Sequence, residues 1–184
     1  MYDRLIDERR ALAEMVFKVD DTDRLDWDLL QKGAVNLYFK SELFDDAIQS
    51  LKDLGYHIIR LRFDSPDHFK NDLSLALKWE EQFGYFPWND SLDALNDGFR
   101  GEPFNSAANA AFCIENFQAC VSYDNYMATT LLTIIERTSR DYLLFGKRLI
   151  GLIQTNDPNF HRDGLGGTTT HWNDAEWLDS ARGL

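Results

Sequence analysis

Four runs of strand-forming residues, separated by stretches with helical spacing, constrain this chain more than any other feature of its sequence. They are Ala34–Phe39, Tyr56–Phe63, Ala111–Phe117 and Arg148–Gln154, each rich in β-branched and aromatic residues. Between the first two, Leu43, Phe44, Ala47, Ile48, Leu51 and Leu54 recur with helical spacing. Ser41 suits the cap before them and Gly55 the stop after them. Strand, helix, strand is a βαβ unit, which predicts parallel strands.

The pattern continues. Ser65-Pro66 is a strong helix start, an N-cap followed by proline at N1. Phe69, Leu73, Ala76 and Leu77 mark one face of a helix expected to run to Phe83 and stop at Gly84. A loop over 84–91 leads to a short helix over 92–100, with Leu92, Leu95 and Phe99 inward. A long helix over 124–142 buries Met127, Leu131, Ile134 and Ile135, and Phe145-Gly146-Lys147 breaks it. A short amphipathic helix is expected over 4–17. In the tail, Asn173 or Asp174 is expected to cap a last turn, with Trp172 and Trp177 packed on the body. The fold class is therefore α/β: a small, mostly parallel sheet of about four strands flanked by helices.

The 184 residues suffice to bury about 70% of the surface exposed in the unfolded chain, so no disulfide or metal staple is required. Cys113 and Cys120 read as buried thiols. No apolar run reaches the length of a bilayer span, and the charged start, Met1–Arg10, does not resemble a signal peptide. These features predict a cytoplasmic protein. The net charge is −12, which argues against direct nucleic-acid or anionic-membrane binding and suits a basic partner.

Chemistry is sparse. The strand–helix junctions Phe39-Lys40-Ser41 and Phe63-Asp64-Ser65-Pro66 lack the glycines of a phosphate loop. His57, His68, His161 and His171 have no His or Cys partner at metal spacing, and no nucleophile elbow occurs. No catalytic residue, metal or cofactor is expected, and the chain does not read as an enzyme.

The acidic excess is concentrated. Between Asp64 and Phe104 there are nine acidic and three basic residues, a net −6 in 41 residues. Within it lies Leu92-Asp93-Ala94-Leu95-Asn96-Asp97-Gly98-Phe99. On a helical wheel Leu92, Leu95 and Phe99 fall within about 60° of one another, while Asp93 and Asp97 lie about 40° apart on a neighbouring face. Like charges at i,i+4 cost about 0.2–0.5 kcal/mol, and Gly98 inside a helix costs about 1 kcal/mol relative to alanine. The segment is a poor helix former carrying a focused negative face. A solvated face with Arg100 paired to Asp97 is the simplest reading. Acid–base catalysis requires one desolvated carboxyl, and one turn supplies few oxygens for Ca²⁺.

Tyr85-Phe86-Pro87-Trp88-Asn89-Asp90-Ser91 followed by Leu92-Asp93-Ala94-Leu95-Asn96-Asp97-Gly98-Phe99-Arg100-Gly101 resembles the signature of the barstar family, intracellular inhibitors of barnase-type ribonucleases. That signature runs aromatic-aromatic-Gly, a variable position, Asn, then Leu-Asp-Ala-Leu, a variable position, Asp and, soon after, Gly. The resemblance covers roughly residues 56–155 as a barstar-like domain. Residues 1–55 form an N-terminal extension whose strand and helix join the sheet. Residues 156–184 form a C-terminal extension packing on the body.

The resemblance implies a loop and acidic helix that plug a nuclease active site, with Asp97 as the main phosphate mimic and Asp93 as a second charged contact. It implies Trp88 and Tyr85 as cleft contacts, with Phe86 in the core. Asn89, Leu92, Asn96 and Gly101 lie at the edge, and Glu136 stands for a late-helix glutamate of the family. Pro87, Asn89, Ser91, Asn96 and Glu102 depart from the pattern, Asn89 standing where the family has a glycine and tolerating φ > 0. The implied partner is a basic ribonuclease or nuclease toxin, met by an immunity protein of a toxin–antitoxin pair, with a monomer as the default state. Two other readings stand beside it: a barstar-fold regulatory or structural interaction module with no nuclease partner, and a carboxylate-based hydrolase with a pocket at Asp93 or Asp97.

Overall fold

The computed structural model of the protein describes residues 16–184. Among these, five strands form one sheet: β1 (Val35–Tyr38), β2 (His57–Arg62), β3 (Asn109–Glu115), β4 (Arg148–Gln154) and β5 (His171–Trp172). Their order is β2-β3-β4-β1-β5, and every neighbouring pair is parallel. Seven α-helices accompany them among the described residues: α1 (Leu25–Lys32), α2 (Ser41–Asp53), α3 (Pro66–Ala76), α4 (Trp79–Phe83), α5 (Leu92–Gly98), α6 (Phe117–Tyr123) and α7 (Asn125–Leu143). The architecture is α/β, with one strand more than the alternation suggests.

Helices cover both sheet faces, so β1 and β4 are buried along their whole length, as parallel strands with two covered faces must be. On one face Phe69, Leu73, Trp79, Leu95, Phe99, Leu131 and Ile135 pack on Val35, Leu37, Phe112, Ile114, Leu149 and Ile153. On the other, Leu29, Phe44, Ala47, Ile48 and Leu51 pack on Tyr38, Ala111, Cys113, Ile150 and Leu152. The cysteines are free and buried, and burial pushes both thiols up to about 12, which keeps them protonated and unreactive. Gly151 serves the close approach of α7, because a Cβ there would stand 2.8 Å from Ile135 Cγ2. A buried carboxylate, Asp26, accepts from Tyr56 Oη at 2.9 Å and pairs with Arg24 at 2.7 Å, joining α1 to the chain entering β2.

Several local expectations shift. β1 and β2 are parallel but not neighbours; β4 and β3 lie between them. The helix from Pro66 does not run to Phe83. It ends at Ala76, and Lys78 takes a left-handed φ of 49° before α4 begins. The third strand ends at Glu115, where Asn116 (φ 55°) turns the chain into α6. The tail contributes β5 rather than only a capped turn, since Asn36 and Leu37 pair with His171 and Trp172. Trp172 packs on the core, whereas Trp177 is 66% exposed, against the expectation that both pack inward. The helix over 4–17 lies up to residue 15 outside the described residues, and Val16 and Phe17 are not helical. No helix among the described residues is long and apolar enough to cross a membrane.

Candidate functional site

The site begins with the loop over 84–91, which is anchored from below. Trp88 N donates to Ser74 Oγ at 2.8 Å, Ser74 Oγ donates to Lys70 O at 2.6 Å, and Lys70 Nζ pairs with Asp90 at 2.6 Å. The loop is thereby tied to α3. Trp88 Nε1 donates to Ser91 O at 2.8 Å, and Ser91 Oγ caps α5 by accepting from Ala94 N at 3.2 Å. A capped N-terminus with Asp93 in the first turn favours the helix, and this offsets part of the cost of its sequence.

The far end of α5 is held as well. Phe99 is buried and stacks on Phe104 at 5.1 Å. Its carbonyl accepts from Tyr142 Oη at 2.7 Å. Burial, opposed by Arg100, pushes the Tyr142 phenol up to about 12, so it stays a donor. Gly98 has a structural reason: a Cβ there would lie 2.9 Å from Trp79 Cζ3. Trp79 is fully buried, and its ring has nowhere to retreat. Gly98→Ala is therefore expected to lower stability by about 1–2 kcal/mol, although the same change in a free helix stabilises by about 1 kcal/mol. Urea denaturation of the two proteins checks this.

With both ends and the inner stripe fixed, Asp93 and Asp97 face solvent. Among the described residues neither has an ion-pair or hydrogen-bond partner for its carboxylate. Arg100, expected to pair with Asp97, instead reaches Asp141 on α7 at 3.4 Å. The reason is geometric: the helix ends at Gly98, so Arg100 follows the chain towards α7 rather than the helix surface.

The other sequence-derived site residues divide. Tyr85 is 36% exposed, lies edge-on to Trp79 at 6.0 Å and donates to Asn89 Oδ1 at 3.3 Å. Asn89 is exposed, Leu92 and Asn96 are half-buried, and Gly101 is half-buried against Gln82. The left-handed φ in the loop belongs to Asp90 (φ 69°), one position after Asn89.

Three residues lie otherwise than expected. Trp88, expected at the partner surface, is 1% exposed, because its indole fills the space between the loop and α5. Phe86, expected in the core, is 44% exposed. Glu136 is 2% exposed and accepts from Ala34 N at 2.7 Å. It ties α7 to the start of β1 and presents no charge to a partner.

Glu80 and Glu81 were not singled out by the helical wheel, which treats one helix at a time. Both are exposed on α4 and, with Phe86 and the exposed Leu75, line a shallow cavity of about 300 Å³. Their only signal in the sequence is membership of the acidic stretch.

In open α/β sheets ligands commonly sit beyond the carboxyl ends of the strands, where the winding reverses. Here that place, at the ends of β1 and β4, is filled by the chain's own polar groups. Glu176 is fully buried and accepts from Phe39 N and Lys40 N, both at 2.9 Å. Gln154 Oε1 accepts from Asn116 N at 2.9 Å, and its Nε2 donates to Asn156 Oδ1 at 3.0 Å. The outward-facing acidic helix is thus the more available surface.

No family model, curated protein or solved structure matches the chain.

Proposed function

We propose that this protein is a barstar-like inhibitor or immunity protein: a cytoplasmic, cofactor-free, non-enzymatic chain that occludes the active site of a basic ribonuclease or nuclease toxin. One observation carries the reading. Asp93 and Asp97 sit one turn apart on a helix fixed at both ends, face solvent, and are neutralised by no cation among the described residues. On this reading the two carboxylates stand in for RNA phosphates, and their concentrated negative charge attracts a basic cleft. Tyr85 and the exposed Phe86 supply aromatic area beside the charges, a common form of interface anchor. The anchor set thus differs from the one the resemblance implies, with Phe86 in the place of Trp88.

The test is titration of a barnase-type ribonuclease, and of a basic toxin nuclease, with the purified protein. Stoichiometric loss of RNA cleavage is expected, weakening steeply as added salt shortens the range of charge attraction. Asp93→Ala and Asp97→Ala are each expected to weaken inhibition by about 30-fold, the effect of losing about 2 kcal/mol at an interface hot spot. Inhibition indifferent to both substitutions and to salt sinks the decoy mechanism.

The reading as an interaction module without a nuclease partner draws on a different surface. Leu144 and Phe145, 83% and 68% exposed, border a cavity of about 650 Å³ with Arg100 and Lys147 at the end of α7. Inert behaviour towards both nucleases, with partner capture abolished by Phe145→Ser, favours that reading.

A further inference from the structure

The shallow cavity of about 300 Å³ between α3, α4 and the loop over 84–91 has an orphaned donor in its wall. Trp79 lines it and is fully buried, yet the indole Nε1 donates to no acceptor. The Cζ3–Cε3 edge of the ring packs against α5 at Gly98, and the ring stacks on Phe83 at 4.2 Å. The opposite edge, which bears Nε1, is the one left to the cavity. Water does not satisfy the group either, because the ring has no exposed surface. Buried polar groups in native proteins are nearly always hydrogen-bonded, and an orphaned one calls for an explanation.

An N–H group requires an acceptor, and the neighbouring hydroxyl is already engaged. Ser74 Oγ donates to Lys70 O and accepts from Trp88 N. Leu75 and Phe86, 67% and 44% exposed, make the walls apolar. Glu80 and Glu81 are exposed beside them, and neither carboxylate has an ion-pair or hydrogen-bond partner among the described residues. Lys78 also lines the cavity but pairs with neither, and its single charge leaves the site net negative.

A lone donor, a hydrocarbon wall and two carboxylates in one shallow cavity specify a complementary shape. We propose that this cavity receives an arginine residue of a protein partner: its main-chain carbonyl accepts from Trp79 Nε1, its methylenes lie on Leu75 and Phe86, and its guanidinium meets Glu80 and Glu81. An extended segment lying across an open cavity presents these three groups together. Arginine suits the site better than lysine, because its planar fork matches carboxylates and stacks on an aromatic ring. Access to Nε1 requires a rotamer change in the exposed wall side chains, a fast motion at a surface. Phe86 belongs both to this cavity and to the aromatic area beside Asp93 and Asp97, so the arginine site continues the α5 surface. That the partner is a basic nuclease rests on the reading above; the chemistry of the cavity does not.

NMR titration of the isotope-labelled full chain with N-acetyl-argininamide tests this, with N-acetyl-citrullinamide (no charge) and n-butylguanidinium (no carbonyl) as comparisons. The Trp79 indole N–H signal, assigned through the ring's nuclear Overhauser contacts to Gly98 and Phe83, is expected to shift downfield saturably with argininamide. The citrulline compound is expected to bind about tenfold more weakly, having lost the charged contact. Butylguanidinium is expected to bind without the downfield shift. Glu80→Gln combined with Glu81→Gln, both at exposed side chains, is expected to weaken argininamide binding about tenfold. Absence of a saturable shift at Trp79, equal affinity for the charged and neutral compounds, or an affinity unmoved by the double substitution overturns the proposal. Argininamide binding without nuclease inhibition sinks the decoy reading alone, and inhibition without argininamide binding sinks this one alone.

Discussion

Replacing Trp88 with alanine is expected to cost about 3–5 kcal/mol of folding stability, the usual toll for emptying a buried aromatic site. The side chain is 1% exposed, sits within the main core cluster and donates from Nε1 to Ser91 O at 2.8 Å. The substitution leaves a void beneath the loop and removes the donor that holds the residue capping α5. For a chain of this length each kcal/mol moves the melting temperature by about 2–4 °C, so a drop of about 10 °C should appear in a thermal scan. An exposed contact residue would change stability by no more than about 0.5 kcal/mol. A near-neutral Trp88→Ala would thus contradict the burial described here and return Trp88 to the partner surface. Trp88→Phe keeps most of the volume but loses the indole donor, and is expected to cost about 1–2 kcal/mol.

Glu176→Ala is expected to be nearly as damaging, at about 3 kcal/mol. The carboxylate is fully buried and accepts from Phe39 N and Lys40 N at 2.9 Å and from Asn173 Nδ2 at 2.5 Å. The first two donors lie where the chain leaves β1 and enters α2, so the negative charge also complements the helix N-terminus. Alanine orphans these donors and opens a void. Glu176→Gln keeps the shape but brings one N–H group towards other N–H groups, and most of the loss should persist. The loss should be local as well as global, because Glu176 fastens the tail that carries β5. Limited proteolysis at native pH is expected to release fragments cut within 157–184 from the variant well before the parent. Equal digestion rates would show that the tail is held by other contacts.

Much of the architecture was legible because it rests on local rules. Ser65 caps α3 by accepting from His68 N at 3.3 Å, with Pro66 following, as the dipeptide alone suggests. Gly55, Gly84 and Gly146 all take positive φ at the ends of helices, the conformation glycine adopts most readily. The outward direction of Asp93 and Asp97 follows from a 3.6-residue period once Leu92, Leu95 and Phe99 point inward.

Other features were hidden because they depend on residues far apart in sequence. Tyr85, Phe86 and Trp88 lie in a loop without a period, so nothing local tells which ring turns in. Glu136 meets Ala34 across 102 positions, and Arg100 meets Asp141 across 41. A two-residue strand such as β5 has no pattern of its own and exists because β1 offers it an edge.

The linear order of residues determined most of the alternation of strands and helices, the Ser65 cap of α3, the glycine stops at Gly55, Gly84 and Gly146, and the placing of two carboxylates on one side of a short helix, whereas the cap expected at Ser41 is absent because Lys40 holds the N-cap position of α2. These are consequences of backbone preference and spacing, which act over a few residues. Tertiary structure decided which aromatic ring fills the core, which carboxylates are consumed as internal acceptors, and that β1 lies between β4 and β5. Those outcomes turn on burial and on hydrogen bonds between distant segments, whose energies exist only once the sheet has brought the segments together.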